Sequence, residues 1–365
     1  MKRNWIAAGL TAVLLLTLLT QASGLPAVQI TEAEAAGESI TLQWTDTGAS
    51  WYEVYRAASR GGSYTLLART AAPTYKDGGL QRGNVYFYKV RGCTVRGGRT
   101  SYTPFSAVVG RCCVELRQAM ATENPCYRQG GRIAVRGLML HSVGCAQEQG
   151  AAFAAYWNQP SAEELVHGVI EPGGTVYQLA DWEARCWHCG GSGNDFLIGV
   201  EMTEPDELCY RSGTEFTYSG DARETAMDNY NTAVALFANL CWEFALDPLH
   251  DIYSHGEGGQ LGIASGHGDP EHLWRGLQLG VSMDTFRRDV ARMMQGSYQK
   301  RTPPAPASYT VAAELLNVRS GPGTEYDVVG GLSEGAAVAV SGMRETQGRG
   351  WGRIGDGWIC MDYVK

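Results

Sequence analysis

Several residues with metal-ligating side chains stand at the ends of distinct sequence patterns. His141 follows the apolar run 138–140, and His267-Gly268-Asp269-Pro270 places Asp269 fourteen residues after His255. Two imidazoles and one carboxylate are the protein ligands of a catalytic zinc ion that keeps its fourth position open for water. The residue types therefore predict zinc-dependent hydrolysis.

A glutamate follows a second apolar run in the same way. Residues 196–200 have the pattern of a buried strand, and Glu201 follows them as His141 follows its own run. Open α/β sheets bind ligands at such strand ends. Burial would raise the pKa of Glu201 toward the range of a general base, and a nearby dication would lower it. The alternative is a salt bridge to Arg136 or Arg132.

The apolar pattern also predicts the elements that position these residues. Residues 166–170 and 175–179 flank a Pro-Gly-Gly turn and predict a hairpin. Helical spacing predicts one helix over residues 221–245 and a second that begins at Ser282 or Asp284 and ends before Gly296. The glycine-rich stretch 255–274 between them predicts a long mobile loop.

One histidine and one cysteine pair receive structural interpretations. His167 lies in a strand pattern, and packing within the sheet is favoured over a place near the site. Cys186 and Cys189 form the only C-x-x-C pair among ten cysteines, and no second such pair follows at zinc-ligand spacing. We expect a local disulfide or two free thiols.

The N-terminus has the pattern of a secretory signal. Lys2 and Arg3 precede an apolar run over residues 5–19, and small residues follow at 22–24. An uncleaved anchor is the alternative, but the run is shorter than the ~20 residues of a membrane-spanning helix. Residues 1–24 are therefore predicted to be a signal peptide, and the protein is expected to be secreted.

Composition divides the remaining chain into three domains. Short alternating runs and glycine turns over residues 26–110 predict an all-β sandwich. Residues 113–296 mix strand and helix patterns, residues 297–308 form a proline-rich linker, and residues 309–365 form another β-rich unit. The formal net charge of −8 argues against nucleic acid and against a polybasic membrane surface. We expect a monomer.

The outer domains resemble known modules. Trp44 on an early strand and the run 86–90 resemble a fibronectin type III module, which implies a spacing or adhesive role. Residues 316–323, Gly350-Trp351-Gly352 and Gly357-Trp358-Ile359 resemble a bacterial Src-homology-3-like domain, which usually holds an enzyme on the cell wall. Three aromatic residues of this domain form a binding face or fill a small core: Trp351, Trp358 and Tyr363.

The middle domain resembles the zinc-dependent N-acetylmuramoyl-L-alanine amidases, a family shared with phage amidases and peptidoglycan recognition proteins. Four landmarks occur in the family's order: the strand ending at His141, the hairpin 169–179, Trp187-His188-Cys189-Gly190 followed by 194–201, and His255 with His267–Pro270. The resemblance implies an α/β domain with a mixed central sheet flanked by helices. This domain would lie between an all-β sandwich and a small all-β barrel.

The resemblance also implies a role for each matching residue. His141, His255 and Asp269 are the implied Zn²⁺ ligands, and Glu201 is the implied base that takes a proton from the zinc-activated water. His267 is implied to stabilise the oxyanion. Trp187 and His188 are implied to line the substrate pocket. His250 and His272 compete with His255 as ligand, but the residues before His255 have the pattern of the family's short strand.

These roles predict a secreted, wall-associated enzyme that cleaves peptidoglycan at the amide between N-acetylmuramic acid and L-alanine. Two alternatives belong to other classes. The protein could bind wall fragments without catalysis, or it could be a cysteine peptidase with Cys145 or Cys189 as nucleophile. Retention of Asp269 and Glu201 argues against the first, and no cysteine-peptidase motif surrounds Cys145.

Overall fold

The computed structural model describes residues 26–305, 307–346, 348–355 and 357–365. The predicted signal peptide, residues 1–24, lies outside the described residues. The described chain forms an α/β region between two all-β regions, so the predicted fold class is confirmed.

The N-terminal region is a sandwich of two sheets. Its strands are β1 (Ile30–Ala36), β2 (Ser39–Trp44), β3 (Trp51–Ala57), β4 (Thr65–Thr70), β5 (Thr74–Gly78), β6 (Val85–Arg96), β7 (Arg99–Tyr102) and β8 (Val109–Cys112). One sheet has the order β1-β2-β5, and the other has the order β4-β3-β6-β7 with β8 paired to β6. Trp44 packs edge-on against Tyr52 with ring centroids 5.5 Å apart, because alternate side chains of each sheet fill the space between them.

The middle region contains both helices and strands. In chain order they are β9 (Glu115–Gln118), α1 (Pro125–Gln129), β10 (Gly137–Ala146), α2 (Gly150–Trp157), β11 (Gly168–Glu171), β12 (Thr175–Gln178), β13 (Leu197–Glu204), β14 (Leu208–Ser212), β15 (Glu215–Tyr218), α3 (Ala222–Glu243), β16 (Ile252–Ser254), α4 (His255–Gln260), α5 (Glu271–Gly276) and α6 (Met283–Gln295). A 3₁₀ turn lies at Ser192–Asp195.

A six-stranded mixed sheet forms the centre of this region, in the order β16-β10-β13-β11-β12-β9. Strands β16, β10, β13 and β11 are parallel, and β12 completes the predicted hairpin antiparallel to β11. The central strands β10 and β13 are buried on both faces, which explains their continuous apolar runs. Helices α3 and α6 pack on one face, where Phe237 and Phe286 make an edge-on contact.

Both predicted helices are confirmed. Helix α3 lies within the predicted range 221–245, and α6 begins after Ser282, whose hydroxyl accepts a hydrogen bond from the Thr285 N–H at 3.3 Å. Helix α6 ends at Gly296, which has the left-handed φ of 76° that favours glycine. Among the helices of the described residues, none has both the length and the apolar content needed to cross a bilayer.

The prediction of a long mobile loop over residues 255–274 was wrong, because this segment contains α4 and α5. The Ser254 hydroxyl accepts from the Glu257 N–H at 3.0 Å, and the Glu257 carboxylate accepts from the Ser254 N–H at 3.0 Å. This capping box satisfies donors at the helix start and offsets the poor helix propensity of the glycines in α4. The Ser-x-x-Glu spacing is the sequence signal that could have predicted α4.

The C-terminal region is a small β structure. Its strands are β17 (Ala307–Thr310), β18 (Leu315–Arg319), β19 (Val328–Ser333), β20 (Ala337–Val340), β21 (Gly342–Thr346), β22 (Arg349–Ile354) and β23 (Gly357–Cys360). The sheet orders are β17-β20 and β19-β18-β23-β22-β21. Trp351 and Trp358 are buried, whereas Tyr363 is 44% exposed. The two tryptophans therefore fill a small core, and Tyr363 remains accessible.

The outer regions pack against the middle region. Phe87 of the sandwich contacts Trp242 of α3 edge-on, with ring centroids 6.1 Å apart. In the proline-rich linker, Arg301 forms an ion pair with Asp289 of α6, a carboxylate that is almost fully buried. The first part of the linker is therefore packed onto the helices of the middle region.

Candidate metal centre

Three neighbouring parallel strands bring the candidate site residues to one edge of the sheet. His141 of β10 is paired with Glu201 of β13. On the other side of β10, Leu140 is paired with Ser254, the last residue of β16, so His255 begins α4 beside His141. The parallel register therefore places three chain segments with functional side chains side by side.

Two imidazoles and one carboxylate converge at this edge. The Nδ1 atoms of His141 and His255 are 3.1 Å apart, and the Asp269 carboxylate oxygens lie 3.3 Å from Nδ1 of His141 and 3.6 Å from Nδ1 of His255. Tetrahedral ligands at zinc-ligand distances are about 3.3 Å from one another. All three residues are buried, and they form the one group of three or more candidate ligands among the described residues. The three atoms therefore fit a single small metal ion.

A hydrogen-bond chain sets the tautomer of His141. The His188 Nε2 lies 3.2 Å from the Leu197 carbonyl oxygen, and the His188 Nδ1 lies 3.1 Å from the His141 Nε2. Because a carbonyl oxygen can only accept, His188 carries its proton on Nε2 and accepts at Nδ1 from the His141 Nε2–H. The lone pair of His141 Nδ1 is then directed into the site.

A second chain acts on His255. Its Nε2 lies 3.1 Å from the Ser265 hydroxyl, which donates to the Cys189 carbonyl oxygen at 3.3 Å. The hydroxyl therefore accepts from the His255 Nε2–H, which leaves the Nδ1 lone pair of His255 facing Asp269. Partners of this kind orient metal-binding imidazoles. Sequence reasoning missed Ser265, because no pattern links this residue to a histidine ten positions earlier.

The electrostatics of the three groups suit a cation. Burial lowers the pKa of His141, and it lowers that of His188 far below the ordinary value, so both imidazoles are neutral. Burial opposes ionisation of Asp269, but the effect of the neighbouring His141 and His255 rings outweighs it and holds the pKa of this carboxyl well below its usual range. Neutral imidazoles with an ionised carboxylate are the donor set that zinc requires.

Glu201 lies beside these groups, and its pKa is shifted in the direction opposite to that of Asp269. Burial, and then the charges of Asp269 and Glu204, raise the pKa of Glu201 well above its ordinary value. Its Oε2 atom is buried and has no hydrogen-bond partner among the described residues. Neither Arg136 nor Arg132 forms an ion pair with it in the described structure, where Arg132 pairs with Glu183. A bound cation would offset the free-energy cost of burying an ionised carboxylate at Glu201.

A cavity of about 840 Å³ opens over the candidate metal centre. Its walls include Glu201, Asp269 and His267, and the exposed His267 ring lies 4.5 Å from the His255 ring between centroids. His188 borders the cavity. Trp187 does not line it and packs instead in a hydrophobic cluster with Trp157 and other residues. The predicted substrate-pocket pair is thus divided between the cavity and the core.

The remaining histidines have other partners. His250 is exposed and pairs with Asp247 at 2.9 Å. His272 lies 3.1 Å from the Tyr210 hydroxyl and 3.5 Å from the buried Glu204. Of the three histidines considered as second ligand, the structure therefore brings His255 to His141 and Asp269.

His167 and the C-x-x-C pair have structural contacts. The His167 Nε2 donates to the Ala184 carbonyl at 2.8 Å, and Nδ1 accepts from the Gly199 N–H at 3.0 Å, which confirms packing within the sheet. Cys186 and Cys189 are both free thiols, one of the two alternatives left open by the sequence. Burial raises the pKa of each, so both remain protonated.

The fold and the site together define an α/β domain with a two-histidine, one-aspartate centre at the carboxyl ends of the parallel strands of a mixed sheet. Residues 131–272 match the N-acetylmuramoyl-L-alanine amidase family, and residues 314–365 match the bacterial SH3 domain family. The chain thus contains a domain of the N-acetylmuramoyl-L-alanine amidase family joined to a C-terminal bacterial SH3 domain.

The chain is also similar to several solved structures. The Staphylococcus aureus hydrolase AmiA in complex with its ligand shares 17% identity over 51% of this chain and 88% of its own, with a TM-score of 0.40. The catalytic domain of XlyA shares 21% identity over 48% and 98%, with a TM-score of 0.35. For the N-terminal region, a Fn3-like protein from Clostridium thermocellum shares 31% identity over 24% and 92%, with a TM-score of 0.20. No curated protein matches the chain.

Proposed function

We propose that the protein is a secreted, monomeric peptidoglycan hydrolase that cleaves the amide between N-acetylmuramic acid and L-alanine with a zinc-activated water. The amidase family match over residues 131–272 supports the reaction class. The observation that carries the proposal is the convergence of the two imidazole Nδ1 atoms and the Asp269 carboxylate within 3.1–3.6 Å of one another, beside Glu201.

His141, His255 and Asp269 would hold the zinc ion. The fit rests on the burial of the three ligands, on the two hydrogen-bond chains that present Nδ1 lone pairs, and on the unpartnered Oε2 atom of Glu201. Zinc bound there supplies Lewis-acid chemistry, because it makes water acidic and polarises a carbonyl group.

Glu201 is the proposed general base. Its carboxylate would take a proton from the attacking water and return that proton to the nitrogen of the leaving L-alanine. A bound dication would lower the pKa that burial has raised, which leaves Glu201 ionised and able to accept near neutral pH. General acid–base catalysis of this kind contributes roughly 10²–10⁴-fold to a rate.

His267 is the proposed oxyanion-stabilising residue. Its exposed side chain lines the cavity next to His255, so an N–H of the ring can donate to the carbonyl oxygen as negative charge develops on it. His188 would contribute indirectly by holding the His141 tautomer, and its edge in the cavity also permits contact with substrate. Trp187 is not assigned a substrate contact.

The C-terminal domain would associate the enzyme with the cell wall. Its bacterial SH3 family match supports action on the extracellular polymer, and the accessible Tyr363 is a candidate contact. Binding of a second module to the same polymer raises the local concentration of the first. Removal of residues 309–365 should therefore weaken attack on whole wall more than attack on a small soluble fragment.

A cysteine peptidase is the less supported alternative. Cys145 lines the cavity, but burial and the charges of Glu204 and Glu201 raise the pKa of its thiol, which disfavours the thiolate nucleophile. A binding protein without catalysis would have no need of a buried, unpartnered carboxyl group at Glu201, which is costly to ionise. Both alternatives remain outcomes of the following test.

The test measures amino groups released from purified peptidoglycan by the full-length protein before chelation, after chelation and after zinc restoration. Glu201→Gln is compared with Glu163→Gln, the same substitution at an exposed residue outside the cavity. We expect zinc-dependent release that is lost only in Glu201→Gln. Release that survives chelation and stops on thiol alkylation would indicate the peptidase, and wall binding without release would indicate a non-catalytic protein.

A further inference from the structure

A second cavity, of about 470 Å³, lies between the amidase domain and the C-terminal domain. We call it the interdomain cleft. One wall contains β14, β15 and α5, and the other contains β21, β22 and β23. Thr214 and His272 line both this cleft and the cavity over the metal centre. A ligand that extends from the metal centre past these two residues therefore enters the cleft.

The two walls are held together by direct contacts. Arg344 of β21 pairs with Glu215 of β15 at 2.6 Å, and Arg353 of β22 donates to the Tyr218 carbonyl oxygen at 2.6 Å. These two contacts, which join β15 to β21 and β22, position the C-terminal domain against the β14–β15 hairpin. Direct contacts between the two domains therefore form the cleft, and the C-terminal domain supplies part of the surface beside the active-site cavity.

The polar lining of the cleft favours anions. Four arginines line it, and Arg344 and Arg353 are used in the contacts between the walls. Arg211 and Arg275 are exposed and make no side-chain hydrogen bond or ion pair with any described residue. Glu345 is the one lining carboxylate among the described residues that has no ion-pair partner there. Unpaired guanidinium groups in a concave site bind carboxylates through paired N–H donors.

Apolar surface completes the cleft. Phe216 of the amidase domain and Trp358 of the C-terminal domain face it from opposite walls. A concave site of several hundred Å³ that combines aromatic surface with a few charged groups is typical of ligand-binding pockets. An extended peptide of four residues spans about 13 Å, which is long enough to pass from one pocket into a neighbouring one.

We infer that the interdomain cleft binds the distal, carboxylate-bearing part of the peptide attached to the muramic acid, with Arg211 and Arg275 as its carboxylate contacts. The inference rests on the proposed function. In the proposed substrate the amino end of the peptide forms the scissile amide. The peptide therefore extends from the metal centre toward its carboxyl end, and its free carboxylates lie at a distance from the scissile bond. The C-terminal domain is then part of substrate selection, in addition to any anchoring on the wall.

The experiment compares three soluble substrates with the same scissile bond, using the zinc-loaded full-length protein. They are N-acetylmuramoyl-L-alanine amide, an N-acetylmuramoyl-tetrapeptide with free carboxylates, and the same tetrapeptide with its carboxylates amidated. The test variant is Arg211→Gln/Arg275→Gln. The control is Arg288→Gln, an exposed arginine of α6 outside both cavities.

We expect the double variant to lose about tenfold or more in kcat/KM for the free-carboxylate tetrapeptide, mainly through KM, because it lacks both arginine contacts and the loss of one strong polar contact is about tenfold. Its activity on the other two substrates, and the activity of Arg288→Gln on all three, should match the wild type. Equal losses on all three substrates, or no loss on any, would overturn the inference.

A binding measurement separates this inference from the proposed function. The free acidic tetrapeptide, without the sugar, is titrated into wild-type protein and into the double variant by calorimetry. Weaker binding to the double variant supports the cleft even if no substrate is cleaved, an outcome that would refute the proposed function alone. Equal binding to both proteins, together with normal cleavage of the short substrate, refutes the cleft alone.

Discussion

The Nε2 atom of His141 lies 3.1 Å from the Nδ1 atom of His188, and this contact determines which nitrogen of His141 faces the candidate metal centre. His188 in turn donates to the Leu197 carbonyl at 3.2 Å, so its own tautomer is set by the backbone of β13. A residue that the sequence suggested as pocket lining is thus also an orienting partner of a candidate ligand.

Replacing His188 should weaken zinc binding. In His188→Ala the His141 imidazole loses its acceptor, and loss of such a partner typically costs roughly 10–100-fold in metal affinity. His188→Asn, which keeps an acceptor oxygen, should lose less. Zinc affinity is measured by competition with a chromophoric chelator, with His250→Ala as an exposed control. Equal affinity in His188→Ala and the control would contradict an orienting role.

His267→Ala should lower kcat and leave zinc affinity unchanged. The His267 ring lines the cavity but supplies none of the three converging ligand atoms. Loss of one oxyanion donor costs about 10²–10³-fold in kcat. His267→Lys restores a donor and should recover much of the rate. The measurement is steady-state cleavage of a soluble muramoyl peptide, and a wild-type kcat in His267→Ala would refute the assignment.

Acid should destabilise the metal-free protein through His167. Burial lowers the pKa of His167 from 6.5 to about 4, so below pH 6.5 the unfolded state binds more protons than the folded state. The free energy of unfolding therefore falls as pH drops from about 6.5 to about 4, by about 3 kcal/mol from this residue, and the loss then levels off.

Urea unfolding of the wild type and of His167→Gln, across that pH range and in the presence of chelator, isolates this contribution. The glutamine cannot titrate, so its stability should fall less steeply with acid. If the free energy of unfolding falls equally with acid in the two proteins, His167 does not make the predicted contribution to the pH dependence.

Asp289→Ala should destabilise the fold. This buried carboxylate accepts from the Tyr230 hydroxyl at 2.8 Å and pairs with Arg301, which fastens the linker to α6. Loss of hydrogen bonds to a charged group costs about 2 kcal/mol. Asp284→Ala on the same helix removes an exposed pair with Arg287 and should cost less than about 1 kcal/mol. The measurement is the midpoint temperature of thermal unfolding of each variant. Equal decreases in the two variants would contradict the role of burial.

Local patterns were sufficient for much of the framework. Apolar runs that end at His141 and Glu201 predicted two buried strands, because parallel strands covered on both faces need continuous apolar residues. The cap at Ser282 and the stop at Gly296 predicted α6 for similarly local reasons. The same approach failed at α4, where glycine content was weighed without the capping box of Ser254 and Glu257.

The sequence by itself determined the types of ligand and base and the strands that end beside them, because side-chain chemistry and hydrophobic periodicity are local properties. Only the tertiary structure decided that His255, and neither His250 nor His272, meets His141 and Asp269, and that His188 sets a tautomer. Those relationships depend on distances of about 3 Å between segments far apart in the chain, and the strand register and packing of the whole domain determine them.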